Sequence, residues 1–400
     1  MKITKISCFM ILLAVMTTMG CNGVRQVTSV TPPAPEEMNY IAKGENTGTY
    51  WPTKGWKSCR PEAVGMDSQK LLKAMAYAAS PEFETQGVAI IKNGYIIAES
   101  YWNDFKQDTV HVSNSMAKSF SSALIGIAID KGLISSVDEK LCDYYPSWNC
   151  SDSGDLRSRI SLRHALTLTT GLEWHEDWTK WDFKTNDALK MAIDGHFITY
   201  ASQRPGQHEP GTKAIYSTGD PMLLSGVIQK ATGMTAFEFA DQNLFGPLNI
   251  KNIHWDQDKD GYTATAWGLY TTVRNYAKFG YLFLRNGQWD GQQIVPEQWV
   301  KKSTTSDDAV NMWKYYGYLW HVNLPLRLAP ANLTENLKNK KGSPVPVEGI
   351  PSDGYMAAGV LGQNIIVIPS KDLLIVKVAN QKKERIELSK FIKMVIDAQI

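Results

Sequence analysis

The chain has 400 residues, of which 43% are hydrophobic and 20% are charged, and these values are ordinary for a globular protein. Its 42 basic and 40 acidic residues are spread along the chain and leave a net charge of +2, so no basic patch or acidic tail argues for nucleic acid as a partner. No cluster of histidines or cysteines has the spacing of metal ligands, and we expect neither a metal nor a cofactor. The 13 Trp and 17 Tyr are compatible either with a carbohydrate or cell-wall cleft or with a well-packed large core.

The first residues have the pattern of a secretory signal. Lys2 and Lys5 precede an apolar run over residues 6–16 that is too short to anchor a chain across a bilayer. Cys21 directly follows Gly20, which predicts a lipoprotein signal peptide over 1–21 with Cys21 as the lipidated mature N-terminus. Ordinary signal cleavage nearby is the alternative. Firm anchoring would need several acyl chains on the cysteine, because one binds a membrane only marginally.

A polar stretch rich in Pro, Thr, Glu and Gly follows, and we expect residues 22–55 to form a tether. Apolar residues at helical spacing predict a helix over Ser68–Ala79, capped by Asp67. Two strands over Gly87–Ile91 and Tyr95–Tyr101 are separated by Lys92-Asn93-Gly94. Asn-Gly between apolar runs predicts a hairpin.

From Ser115 the apolar period becomes helical, and Lys131-Gly132 ends that run. Helices and long loops are predicted up to about residue 285. Strands return over 364–368 and 373–378, and residues 387–396 predict a closing amphipathic helix. Because strands lie at both ends of the chain, we expect an α/β (α+β) fold in which one antiparallel sheet, flanked by the terminal helices, carries an inserted helical lobe. The sheet lobe would comprise about 56–114 and 315–400, the helical lobe about 115–314, and a site would lie in the cleft between them.

Three further cysteines remain, and an exported protein can form disulfides. Cys142 and Cys150 bracket a turn-like stretch and could pair, which would leave Cys59 over. The sequence alone does not decide which cysteines pair.

Ser115-Met116-Ala117-Lys118 is the chemical centre of the chain, and it is the only Ser-x-x-Lys in it. Residues i and i+3 share a helix face, so the Ser115 hydroxyl and the Lys118 amine come within reach of each other. A serine needs a base to become a nucleophile, and desolvation or a helix N-terminal field lowers a lysine pKa enough to supply one. The same helix start offers the backbone N–H of Ser115 to an oxyanion.

Several stretches in the right order resemble the serine β-lactamase and penicillin-binding protein superfamily, in its class C-like branch. The resemblance runs from about Trp56 to the C-terminus and is nearest to 6-aminohexanoate-dimer hydrolase-like and esterase-like enzymes. The matching stretches are Ser115–Lys118 and residues 160–172, 210–217, 268–280, 296–299 and 362–369. It implies a β-lactamase/transpeptidase-like fold, with residues 56–400 forming a serine hydrolase domain.

The resemblance makes Tyr216 a second base, whose phenol would lose its proton more easily beside positive fields. It also implies an oxyanion hole from the backbone N–H groups of Ser115 and Val360. Two departures stand out: Thr218 occupies the position of the family's asparagine, and the Lys-Thr-Gly motif is replaced by a stretch that contains Gly359 and Val360. We therefore expect acyl transfer with weakened antibiotic recognition.

Expected substrate contacts are Thr218, Gly359 and three tryptophans of the loop over 173–183, namely Trp174, Trp178 and Trp181. These indoles could instead pack the loop against the body. His175 is a weaker candidate base in the same loop. Asp220, one turn beyond Tyr216, is expected only to cap a helix.

We thus expect a serine hydrolase that cleaves a carboxylic ester or amide through an acyl-enzyme on Ser115, with a small-molecule ester or amide or a peptide as substrate. The alternatives are a DD-peptidase-like peptidoglycan enzyme or weak β-lactamase, and, from another class, a non-catalytic cell-wall or ligand-binding protein on the same fold. Export predicts a periplasmic or membrane-anchored location. Oligomeric state does not follow from the sequence.

Overall fold

The computed structural model describes residues 40–45, 48–178, 181–306, 316–322, 350–381 and 388–400. The predicted signal peptide, Cys21 and the tether up to residue 39 lie outside the described residues. Among the described residues, no helix has the length and apolar character that a membrane span requires.

A six-stranded antiparallel sheet joins the two ends of the chain, in the order β2-β1-β11-β10-β9-β8. The strands are β1 (Thr85–Lys92), β2 (Tyr95–Tyr101), β8 (His321–Val322), β9 (Tyr355–Gly359), β10 (Gln363–Ile368) and β11 (Leu373–Ala379). The predicted hairpin of β1 and β2 is confirmed. Asn93 and Gly94 have φ of 50° and 84°, the left-handed pair that a two-residue hairpin turn requires.

Both faces of this sheet are covered, which is why its central strands are continuous apolar runs without polar alternation. Val88 and Ile90 face the terminal helices α1 (Ser68–Ala78) and α10 (Leu388–Ile396), which pack against each other. Asp67 caps α1 by accepting from the backbone N–H groups of Gln69 and Lys70, as the sequence predicts.

The opposite face of the sheet, with Ala89 and Ile91, packs against the rest of the molecule. The helix α8 (Val273–Leu284) lies directly on it. At Gly280 an added Cβ would stand 2.5 Å from Leu374 and 2.7 Å from Ile365, so the missing side chain is what lets the helix approach the strands. The segment predicted as helical lobe therefore also supplies one layer of the sheet lobe.

The predicted helical insertion is confirmed as mainly helical between β2 and β8. Its helices are α2 (Ala117–Asp130), α3 (Leu162–Thr167), α4 (Asp187–Asp194), α5 (Phe197–Ser202), α6 (Gly219–Thr232), α7 (Ala236–Ala240), α8 and α9 (Glu297–Ser303). Helix α2 is buried over nearly its whole length, and Phe120 stacks on Phe279 with ring centroids 3.6 Å apart.

Short strands complete the architecture. β3 (His111–Val112), β4 (His254–Trp255) and β5 (Leu269–Thr271) form a small sheet in the order β3-β5-β4, and β6 (Gln288–Trp289) pairs with β7 (Gln292–Gln293). The small sheet matters for the site, because the chain passes directly from β3 into Ser115 and the backbone N–H of Ser113 donates to Leu269 O at 2.7 Å.

The described part of the predicted tether contacts the body. Ile41 forms an antiparallel bridge with Ala98, and the N–H of Ala42 donates to Ile97 O at 2.9 Å. Trp51 packs on Tyr281 and on the indole of Trp289. Residues 40–42 therefore lie along the outer edge of β2.

Cys142 and Cys150, whose pairing the sequence leaves open, form a disulfide, and Cys59 is a buried free thiol. Among the described residues, the one acidic, cysteine or histidine group close enough to hold a metal is Cys142, Asp143 and Cys150. The two sulfurs of that group are bonded to each other, so they offer no thiolate ligand.

Candidate active site

The serine lies at the junction between a tight turn and a buried helix. Asn114–Met116 form one turn of 3-10 helix, and α2 continues from Ala117. Asn114 has the positive φ of 45°, and its side-chain amide donates to Val360 O at 2.8 Å. Asn114 therefore ties the turn that carries Ser115 to the end of β9.

Lys118 lies one helical turn beyond Ser115, as predicted from their spacing. Its Nζ is 2.8 Å from Ser115 Oγ, and it also contacts Thr218 Oγ1 and the Ala266 carbonyl oxygen, both at 3.3 Å. Burial lowers the pKa of Lys118 to about 8, against the opposing negative charges of Glu176 and Asp220. Desolvation disfavours the ammonium form, so a neutral amine is accessible next to the serine hydroxyl.

Tyr216 completes the cluster from the loop that leads into α6. Its ring centroid is 5.1 Å from Lys118 Nζ, and its phenol shares a hydrogen bond with the Ser115 side chain. Burial, followed by the negative charge of Glu176, raises the pKa of Tyr216 above its ordinary value. Burial thus opposes the loss of this proton, whereas the hydrogen bond with Ser115 favours it. The role of Tyr216 as a second base stays a prediction.

Strand β9 runs in contact with the serine turn. A Cβ added to Gly359 would lie 2.4 Å from Ser113 O and 3.1 Å from Ser115 N. Only a residue without a side chain allows this approach. Gly359, predicted as a substrate contact, thus packs on the serine turn itself. Its neighbour Val360 is at the end of the strand, where its carbonyl is held by Asn114, and its N–H stays a predicted oxyanion donor.

A buried carboxylate that the sequence analysis did not single out lies beside this cluster. Glu176 is 8% exposed. Its Oε1 accepts from the indole N–H of Trp178 and the hydroxyl of Thr218, each at 2.7 Å. Its Oε2 accepts from the indole N–H of Trp174 at 2.8 Å and the backbone N–H of Thr218 at 2.7 Å. The sequence held a usable signal for Glu176, because the indole N–H groups of Trp174 and Trp178, two residues to either side, each need an acceptor when buried.

The tryptophans of this loop differ in what they can reach. Trp174 is buried and lies over Gly219, where a Cβ would stand 2.6 Å from its ring, so it packs the loop onto α6. Trp178 and Trp181 are half-buried and meet edge to face with centroids 5.0 Å apart. His175 is exposed. The substrate contacts predicted for Trp178 and Trp181 stay predictions.

The remaining predicted residues lie under the cluster. Thr218, which occupies the position of the family's asparagine, is 1% exposed and is bonded to Lys118 and Glu176. Asp220 accepts from the Ser217 hydroxyl at 2.9 Å, and burial raises the pKa of Asp220 to about 7. Asp220 is therefore a buried acid within α6, electrostatically coupled to Lys118.

Two further residues that the sequence analysis missed border the cluster. Tyr316 interacts electrostatically with Tyr216 and Glu176, and burial holds the pKa of Tyr316 well above its ordinary value. Burial, and then the charge of Lys118, lower the pKa of His321 to about 4. Both groups are therefore uncharged near neutral pH. Their sequence positions lie about 200 residues beyond Ser115, with no local pattern to connect them.

Comparison with known proteins identifies the family of the chain. The family model described as Beta-lactamase matches residues 76–394. An uncharacterized protein of Alkalihalophilus pseudofirmus is 24% identical over 325 residues, covering 73% of this chain and 83% of its own length. An Escherichia coli protein named "Putative D-alanyl-D-alanine carboxypeptidase" is 19% identical over 334 residues, covering 68% of this chain and 76% of its own.

Among solved structures, "Putative 6-aminohexanoate-dimer hydrolase from Bacillus anthracis" superposes with a TM-score of 0.66. The match covers 86% of each chain at 16% sequence identity, which establishes the shared fold. The expected β-lactamase/transpeptidase-like architecture is thereby confirmed. With its family model spanning most of the chain, this protein belongs to the beta-lactamase family.

Proposed function

We propose that the protein is a serine hydrolase that cleaves a carboxylic ester or amide through an acyl-enzyme on Ser115. The observation that carries the proposal is the 2.8 Å contact between Ser115 Oγ and Lys118 Nζ, formed by a lysine that is 1% exposed. A buried amine whose pKa is about 8 can take the serine proton near neutral pH, which a solvated lysine cannot do.

In the first step Lys118 takes the proton of Ser115 as the serine oxygen attacks the substrate carbonyl carbon. The backbone N–H groups of Ser115 and Val360 are the proposed donors to the oxyanion. Tyr216 then protonates the leaving alcohol or amine, and Lys118 restores the phenol proton. Water repeats the attack on the acyl-enzyme and releases the acid, with the same groups moving the proton. In this scheme Lys118 is the base and Tyr216 the acid, because burial favours the protonated phenol.

The substrate class follows from what the site offers. The strand that carries Gly359 and Val360 has no lysine in place of the family's Lys-Thr-Gly motif. We therefore favour an ester or amide hydrolase over an efficient β-lactamase. A DD-peptidase-like activity is the second candidate, supported by the E. coli relative named after a D-alanyl-D-alanine carboxypeptidase.

We also propose that the enzyme is exported and anchored through Cys21, on the evidence of the N-terminal sequence alone. The basic start, the short apolar run and the cysteine after Gly20 support this proposal. Mass spectrometry of the mature protein tests it: a diacyl or triacyl modification on Cys21 is expected, and an unmodified N-terminus elsewhere would reject the lipoprotein assignment.

The test of the enzymatic proposal combines a fluorophosphonate serine probe with turnover of a p-nitrophenyl ester. The purified protein is compared with Ser115→Ala, which removes one oxygen from a half-buried position. We expect labelling and turnover in the parent and neither in the variant. A well-folded parent that takes no label would reject the hydrolase and favour a non-catalytic binding protein on this fold.

A further inference from the structure

We propose that Glu176 is a positioning residue for Lys118 and acts through the hydroxyl of Thr218. This inference rests on the proposed function, because it concerns how the base presents itself to Ser115. It is carried by the chain of contacts Glu176–Thr218–Lys118, with separations of 2.7 and 3.3 Å.

The Thr218 hydroxyl has one hydrogen to give and two lone pairs to receive. A carboxylate only accepts, so the 2.7 Å contact with Glu176 Oε1 consumes that hydrogen. Toward Lys118 Nζ, 3.3 Å away, Thr218 is left as an acceptor. Glu176 thereby sets the direction of the hydroxyl.

The direction of the Thr218 hydroxyl decides where a neutral Lys118 points its lone pair. A neutral amine has two N–H hydrogens and one lone pair. The Ala266 carbonyl oxygen, at 3.3 Å, accepts one hydrogen, and Thr218 Oγ1 accepts the other. The lone pair is then left for Ser115 Oγ at 2.8 Å, which is the orientation that a general base needs.

The carboxylate itself is fixed in place by four hydrogen bonds, two on each oxygen. Its negative charge also acts on Lys118 directly. The groups that face Lys118 are the carboxyls of Glu176 and Asp220, which raise its pKa, and the uncharged Tyr216 and His321. Tyr316, also uncharged, interacts with Tyr216 and Glu176.

Glu176→Gln tests both effects in an almost unchanged volume. One oxygen becomes an NH2 group, and that group cannot accept from its two former donors. In either orientation of the amide the NH2 group meets one indole N–H, so the indoles do not decide between the two. The backbone N–H of Thr218 cannot turn away but its hydroxyl can, so the NH2 group faces the hydroxyl. The hydroxyl then accepts from the amide and gives its hydrogen to Lys118 Nζ, where it occupies the lone pair meant for Ser115.

We expect kcat/KM for the p-nitrophenyl ester to fall about 100-fold in Glu176→Gln, the scale of a disabled general base. The acid limb of the pH profile is the range in which activity rises as Lys118 loses its proton. The loss in kcat/KM should persist above this range, where Lys118 is neutral. The acid limb itself should move to lower pH, because both the lost negative charge and the new hydrogen bond favour the neutral amine. The lost charge moves the acid limb whatever the direction of the hydroxyl, so the rate loss above the limb, compared with and without the Thr218 hydroxyl, separates positioning from a purely structural role.

Thr218 supplies the matched controls. Thr218→Ser keeps the hydroxyl and should retain the parent acid limb and most of the rate, whereas Thr218→Val removes the hydroxyl and should lower kcat. In the Thr218→Val background the further change Glu176→Gln should cost much less than 100-fold, because no hydroxyl remains to be reversed.

Equal losses from Glu176→Gln in both backgrounds, or an acid limb that does not move, would overturn the inference. If Glu176→Gln does not fold, as judged by its thermal melt, the Thr218 pair decides: a Thr218→Val enzyme with the parent rate and pH profile overturns it. An unlabelled parent enzyme would instead reject the proposed function, so the two failures are distinguishable.

Discussion

Replacing Lys118 by arginine separates the charge of this residue from its ability to lose a proton. Arginine keeps the positive charge beside Ser115, but a guanidinium stays protonated throughout the accessible pH range. If Lys118 is the base, Lys118→Arg should lose about 100-fold or more in kcat/KM, and raising the pH should not restore it. Lys118→Ala serves as the companion variant, because it removes the crowding that arginine introduces.

The pH dependence of kcat/KM in the parent enzyme can be worked out from the pKa of Lys118. Burial holds the pKa of Lys118 at about 8, and the active form is the neutral amine, whose fraction rises with pH. The neutral fraction is about one tenth at pH 7 and about nine tenths at pH 9, so kcat/KM should rise about tenfold over this interval. No fall is expected at slightly higher pH, because the pKa of Tyr216 is raised and its phenol stays protonated.

The assay is the initial rate of p-nitrophenyl ester hydrolysis from pH 6 to pH 10, with the uncatalysed rate subtracted at each pH. Thermal melts at the same pH values verify that each variant is folded. A parent profile that is flat between pH 7 and pH 9, or an arginine variant that recovers at high pH, would refute the assignment of Lys118 as a neutral base.

Two further predictions concern the surroundings of the site. Gly359→Ala places a Cβ 2.4 Å from Ser113 O, so β9 and the serine turn must separate. We expect a loss of about 1–3 kcal/mol in the free energy of unfolding, together with lower turnover. A denaturant titration that shows parent stability, with full activity, would contradict this close packing. The Cys142–Cys150 disulfide closes a loop with a sequence separation of 8, and its reduction should lower the free energy of unfolding by about 2–3 kcal/mol. The thermal midpoint with and without reductant measures this loss. A double alanine variant, which should not respond to reductant, is the control.

Local patterns predicted much of the fold. The alternation of apolar runs with Asn93-Gly94 located the first hairpin, and Asp67 marked the start of α1 to within one residue. Helical spacing from Ser115 onward located α2 and brought Lys118 to the serine. These features depend on residues that are neighbours in the chain, so the sequence alone contains the information.

The features that the sequence did not reveal depend on distant pairs. Thr218 and Glu176 are 42 residues apart. The burial that raises the pKa of Tyr216 likewise depends on the whole folded surroundings and not on its own segment. The position of α8 on the sheet depends on Gly280 meeting Ile365 and Leu374. No periodicity within one segment reports such contacts, because they arise only when the chain has folded.

The pairing of residues 40–42 with β2 has a consequence for the outer edge of the sheet. Strand β2 is the outermost strand on one side of the sheet, and β9, which borders Ser115, is four strands away in the order β2-β1-β11-β10-β9. At about 4.8 Å per strand, the two edges of that row are about 19 Å apart. Tyr40 thus lies on the side of the sheet remote from β9 and Ser115. Because residues 40–42 cover the outer backbone of β2, that edge is not free to recruit a strand from another molecule.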